Sequence, residues 1–248
     1  VSELSPTSKS NYIAAFIPQL FAATVGFVIF FTATGTTMLG SYELPAYEYS
    51  HVDLLIGILL GLIAVVVFLL FAIIKKFVSA VMAKISNPLV GGTVGGALVG
   101  MIVFALPLTA TSGSSQLATE LEMSATLGTV FIISILIAKM FAIALSQSSG
   151  FMGGVVFPII YIGGTAGLLI HGIFPEIPIE LAVGALLAAV PGAVLGAPLS
   201  LILIAAGTVV IGPGALTPIC IAVVTAHVVM AFILNRVKLE HKANPQSD

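Results

Sequence analysis

The stretch best suited to chemistry in this chain carries no ionisable side chain. From Ser146 to Gly164 it reads Ser-Gln-Ser-Ser-Gly-Phe-Met-Gly-Gly-Val-Val-Phe-Pro-Ile-Ile-Tyr-Ile-Gly-Gly, between two long apolar runs. Ser148, Ser149, Gly150, Gly153 and Gly154 break a helix entering from the N-terminal side. Broken backbone at membrane depth has N–H groups that lipid cannot satisfy, so it lines a cavity or is buried in protein. A helix starting near Val155 accepts Pro158 in its first turn, where a missing N–H costs nothing. Its free N–H groups and positive dipole end then point into the break and form an anion site. The candidate ligands are the amides of Gly153, Gly154, Val155, Val156 and Phe157, held by Pro158, with a hydroxyl from Ser148 or Ser149. Several partial charges bind an ion weakly enough to release it, as conduction requires. The absence of Lys and Arg between Ser146 and Arg236 suits that design.

Composition sets the class in which this chemistry operates. Of the 248 residues, 59% are hydrophobic and 7% charged, against about 25% charged in soluble domains. Mean hydropathy is +1.22. So few charges cannot cover a soluble surface, and the expected fold class is all-α integral membrane, multi-pass, in the cell membrane, with the lipid bilayer as solvent. The net charge of -2 provides no basic stripe for nucleic acid. Cys220 is the single cysteine; it excludes an intrachain disulfide or cysteine metal cluster and reads as a small buried hydrophobe. No His-Glu-x-x-His, Gly-x-x-x-x-Gly-Lys-Ser/Thr or Gly-x-Ser-x-Gly occurs. Asp53 and Asp248 are the only aspartates, both at or outside a boundary, so an intramembrane aspartyl pair has no basis. No enzyme, cofactor or metal is expected.

The elements that position the break follow in order. The start, Ser2–Asn11, is polar and lacks a signal-peptide pattern; Val1 reads as a cut end. Tyr12–Thr32 and Leu54–Ile74 are each long enough to span a hydrocarbon layer of roughly 30 Å, joined by an interfacial loop with Tyr42, Tyr47 and Tyr49. Lys75, Lys76 and Lys84 form the densest internal basic loop and are expected in the cytoplasm. In Asn87–Ala110, Gly91, Gly92, Gly95, Gly96 and Gly100 stand at small-xxx-small spacing, and Gly92, Gly96 and Gly100 repeat every four residues as a helix-packing face. Ala110–Gln116 is a polar turn, and Leu117–Ser124, with Glu120 and Glu122, is an interfacial segment. Leu127–Leu145 is a span, followed by the break and a helix over Val155–Ile170. Beyond it the apolar segments Leu181–Ala189 and Leu199–Ala206 are short and separated by Gly and Pro, before the last run, Ile219–Leu234. Short, interrupted segments point to a transport site near the bilayer midplane. The whole of 1–248 reads as one transmembrane domain, with 235–248 as a polar cytoplasmic tail.

Isolated polar residues receive plainer readings. Lys139 lies near the end of its span and is expected to snorkel as a structural residue. His171 and His227 have no ligand partner at helical spacing and read as packed or helix-end histidines. Tyr161 and Thr225 read as packing or lining residues.

Ser149-Gly150-Phe151-Met152-Gly153-Gly154-Val155-Val156-Phe157-Pro158 resembles the anion-site motif Ser-Gly-x-x-Gly-Gly-x-Phe-x-Pro of the CLC chloride channels and chloride–proton antiporters. Ala110-Thr111-Ser112-Gly113, Gly196-Ala197-Pro198-Leu199 and Leu216–Val229 with Pro218 resemble further family segments in the same order. The resemblance covers nearly the whole chain as helices H to Q: the second inverted repeat plus the last two helices of the first. It implies an anion, chloride first, bound by amides at a broken-helix N-terminus, and Glu3 in the place of an inner proton-carrying glutamate. It also implies a homodimer with Tyr12–Thr32, Leu54–Ile74, Leu199–Ala206 and Ile219–Leu234 at the interface.

The departures are specific. The family's pore-lining Phe is Val156 here, and the aromatic comes one step later, at Phe157, turned by roughly 100° on a helix. The arginine before Ala-Pro-Leu is Gly196, and no tyrosine follows the last span. The gating Gly-Lys/Arg-Glu-Gly-Pro element is absent from the chain, which by this resemblance forms only part of a pore. Channel and proton-coupled exchanger both stay open. So do transport of fluoride or another small solute, and a half-subunit that needs a partner chain.

Overall fold

The computed structural model describes residues 9–35, 42, 44, 47–151, 153–195, 197–208 and 213–243. Glu3, Met152, Gly196 and residues 209–212 and 244–248 lie outside the described residues. The described chain is helical: α1 Lys9–Thr34, α2 Asp53–Met82, α3 Pro88–Ala105, a 3-10 turn at Pro107–Thr109, α4 Ser114–Glu122, α5 Thr129–Ser148, α6 Val156–Ile173, α7 Ile179–Gly192, α8 Pro198–Thr208 and α9 Pro213–Ala243. Among the described residues, six helices are long and apolar enough to cross a membrane: α1, α2, α3, α5, α6 and α9.

The 14-residue α7 is too short to cross but forms the centre. Every residue from Glu180 to Gly192 is buried, as expected of a helix that is apolar on all sides. It packs against α6, α9, α2 and α8. Small residues allow this closeness. A Cβ on Gly163 would collide with the Leu186 carbonyl, and one on Gly167 would stand 2.5 Å from Val183 Cα, so α6 and α7 run antiparallel with backbones nearly touching. On the other side, a Cβ on Gly57 would lie 2.7 Å from Pro218 O, and one on Gly61 2.6 Å from Ala222 O. The helices α2 and α9 are therefore parallel, and their basic C-terminal ends, with Lys75, Lys76 and Arg236, share one side of the molecule.

Several boundaries differ from the sequence expectations. Helix α2 runs on to Met82, so Lys75 and Lys76 sit on helix and not in a loop. No Gly or Pro interrupts Lys75–Met82, and Lys and Ala are good helix formers. The helix stops before Asn87, whose side chain accepts from Leu89 N at 2.9 Å and starts α3 over Pro88. Within α3 the buried glycines are Gly91 and Gly95, not the Gly92, Gly96 and Gly100 face; around Gly100 a Cβ would meet open space. The helix face toward α5 is one step earlier because Ser149 drives into Gly95. Of the tail, 235–243 continues α9, since its Lys, Leu, Glu and Ala residues favour helix. Helix α1 has every described side chain from 17 to 35 exposed, an apolar rod with no protein covering it.

Candidate functional site

The break is present where the sequence places it. Helix α5 ends at Ser148 and α6 begins at Val156, with Val155 at its N-cap position. Gly150 turns the chain with φ +85°, a left-handed value that a Cβ would penalise. Pro158 is the third residue of α6, within the first turn, where the N–H groups have no acceptor on their own helix. The first turn closes through Ile159 N to Val155 O at 3.0 Å, leaving the amides ahead of it directed away from the helix.

A cavity of about 270 Å³ opens at this tip. Its floor is Gly153, Gly154, Val155 and Pro158; α5 contributes Lys139, Ala142, Ile143, Ser146 and Gln147; α3 contributes Val99 and Val103; and Thr109 and Thr111 come from the connecting turn. Phe151 closes one edge. Gly153 and Gly154 are exposed, and a Cβ at either would meet nothing within 4 Å. A second, larger space of about 560 Å³ lies between α2 and the other side of the break, with Lys75 and Lys76 among its walls. The two spaces share Gln147 and Val155.

Of the residues singled out in the sequence, Gly153, Gly154, Val155 and Pro158 line the cavity. Val156 and Phe157 are half-buried in the first turn of α6 and contribute no lining side chain. The Ser149 hydroxyl donates back to Leu145 O at 2.7 Å and lies against Gly95, so its proton is spent within the scaffold. Ser146 lines the cavity with Thr109 and Thr111, and its hydroxyl donates to Ala142 O at 2.8 Å. Glu3 lies outside the described residues. His171 and His227 are packed, their Nδ1 atoms against the carbonyls of Ile177 (2.8 Å) and Gly192 (3.2 Å).

Two residues that sequence reasoning underrated shape the wall. Lys139 does not snorkel; it is 2% exposed. Its Nζ donates to the carbonyls of Thr109 (2.8 Å), Ala110 (3.2 Å) and Thr111 (2.9 Å) and lies 4.8 Å from the centre of the Tyr161 ring. An ammonium has three protons, so all are occupied, and Lys139 offers the cavity positive charge without a free donor. Thr111 holds φ +49° to present its carbonyl. Gln147 is the other: its Oε1 is buried with no hydrogen-bond partner. Turning that amide over would put Nε2 and its two donors in the same place.

Glu120 was expected at the interface and is instead buried in α4. Its Oε1 contacts Tyr161 Oη, and its Oε2 accepts at 2.8 Å from Thr165 Oγ1. Burial pushes its carboxyl up to about 7, against the lowering effects of those hydroxyls and of the Lys139 charge. Burial, then the Glu120 charge, raises the Tyr42 hydroxyl to about 12; that hydroxyl donates to Ser114 O at 3.1 Å. The position of Glu120, three after Leu117 on an amphipathic turn, was the available signal, because Leu117 is fully buried.

A family model described as voltage gated chloride channel matches residues 4–231. Curated relatives named as ion-transport protein YfeO are 26% identical: over 57% of this chain and 35% of the protein from Salmonella newport (strain SL254), and over 66% and 40% for that from Escherichia coli O7:K1 (strain IAI39 / ExPEC). The protein from Salmonella typhimurium (strain LT2) matches at the same 26% over 146 residues. The chain thus covers well under half the length of these relatives.

Proposed function

Since this chain belongs to the voltage-gated chloride channel family and is a multi-pass integral membrane protein, we propose that it is part of an anion channel or anion–proton antiporter that passes chloride or another small anion through the cavity at the α6 tip. The observation that carries this reading is the helix N-terminus opening into a cavity with no acidic side chain in its wall among the described residues. The amides from Gly153 to Phe157 supply partial positive charge, and the fully occupied Lys139 ammonium supplies a field without a direct bond. An anion is then attracted but not clamped, which permits exit as well as entry. Gln147 offers a turnable amide in the wall common to the two spaces.

The assembly belongs to the same proposal. Helix α1 and the outer faces of α2, α8 and α9 expose Phe21, Leu55, Leu59, Leu199, Leu203 and Phe232, apolar surface compatible with lipid or with a second copy in a homodimer. The test is anion efflux from liposomes containing the protein at its natural length, comparing chloride, nitrate and fluoride. Selective chloride efflux is expected; liposomes that release no anion selectively overturn the assignment. Gly154→Leu places a side chain into the opening without a backbone clash and is expected to lower efflux on the order of tenfold with thermal stability unchanged.

A further inference from the structure

Three oxygen–oxygen contacts meet around Glu120. Tyr161 Oη lies 2.8 Å from Leu108 O and also contacts Glu120 Oε1, while Thr165 Oγ1 lies 2.8 Å from Glu120 Oε2. Each contact needs a proton between its oxygens, because facing lone pairs at that separation repel. Tyr161 and Thr165 bring one proton each, and the Leu108 carbonyl brings none. A proton on the carboxyl supplies the third and frees the Tyr161 proton from serving both Glu120 and Leu108 O. We propose that Glu120 is a proton-binding site: a carboxylic acid that donates to Tyr161 Oη, with Tyr161 donating onward to Leu108 O, whose release of the proton loosens the turn carrying Thr109 and Thr111.

The surroundings agree. Glu120 is 1% exposed, and an ionised carboxylate there would lack water. The groups facing it are Tyr161 and Thr165 from α6, Lys139 from α5 through its charge, and Tyr42 from the segment before α2. The 3-10 turn adds carbonyls and the Thr109 hydroxyl, which is itself bonded to Leu106 O. Lys139 cannot serve as a direct partner, since its three protons are held by carbonyls 109–111. The carboxyl's raised value of about 7 places the exchange near neutral pH. On deprotonation Tyr161 has one proton for two acceptors, turns to the carboxylate and leaves Leu108 O. That carbonyl begins the turn whose next residues hold Lys139 and line the cavity. The link to ion passage rests on the proposed anion function; the proton site does not.

Infrared difference spectra of the protein in lipid vesicles, taken through a pH titration, read the site directly. A protonated-carboxyl C=O band that disappears as pH rises through about 7, and that Glu120→Gln removes, is expected. A wild-type spectrum without that band, or the same band in Glu120→Gln, overturns the site. Tyr161→Phe keeps the carboxyl and removes its acceptor, so the band is expected to persist at a shifted frequency and pH; an unmoved band there also overturns it. Chloride efflux in the same vesicles is expected to change across this window in wild type and to be flat in Glu120→Gln. An unchanged profile in the variant overturns the link to the cavity. Absence of all efflux sinks the transport reading while leaving the infrared result to judge the proton site.

Discussion

Lys139 and Glu120 are the residues whose roles depend most on partners far away in sequence. The Lys139 ammonium closes the carbonyls of 109–111 from about 30 positions away. Replacing it with Met keeps volume but leaves buried acceptors unpaired, at a cost of roughly 2–3 kcal/mol. Thermal unfolding in detergent is expected to show that loss, with Lys139→Arg recovering much of it. For Glu120 the pH dependence has a definite sign. An unfolded carboxyl ionises near 4.5, whereas the native one holds its proton to about 7. Between those values the unfolded chain binds fewer protons, so stability is greatest below 4.5, falls as pH rises, and levels above about 7. The total fall is about 3 kcal/mol. Unfolding measured against pH is expected to show this slope, and Glu120→Gln is expected to flatten it.

At the level of elements, close helix approach through glycine places the cavity. Helix α6 is held by α7 along Gly163 and Gly167, and any Cβ there meets backbone. Gly167→Ala must push the helices apart and is expected to cost about 1–3 kcal/mol. Gly100→Ala, in open space on α3, is expected to be neutral or to gain up to about 1 kcal/mol through helix propensity. Differential scanning of the two variants checks the contrast. The Gly-x-x-x-Gly pattern announced a packing face on α3, but two interleaved sets share that spacing. The fold buries Gly91 and Gly95, with Ser149, across a chain reversal, set against Gly95.

For the molecule as a whole, α7 is the hub and α1 the outlier. A helix with no covered residue between 17 and 35 is stable only where lipid or another chain surrounds it. The larger space beside the break, walled by Phe68, Phe71 and the Lys75–Lys76 pair, has Gln147 and Val155 as walls in common with the cavity at the α6 tip. Gln147→Leu removes the amide from that shared wall without a charge change. It is expected to reduce chloride efflux severalfold more than it alters thermal stability, which paired flux and unfolding assays measure.

Composition and local chain stiffness alone determined the membrane class, the helix-only backbone and the break before Pro158. Those follow from unpartnered amides, apolar length and missing breakers, all local quantities. The resemblance in the Ser149–Pro158 motif likewise pointed to the family. What only the tertiary structure decided is which polar groups meet. The Glu120 carboxyl joined Tyr161, 41 residues away, and Lys139 turned inward and not to the membrane surface. The Ser149 hydroxyl was spent on its own helix. A side chain's destination depends on which buried donor or acceptor would otherwise be left alone, and that is fixed by elements distant in sequence coming together in the packed helices.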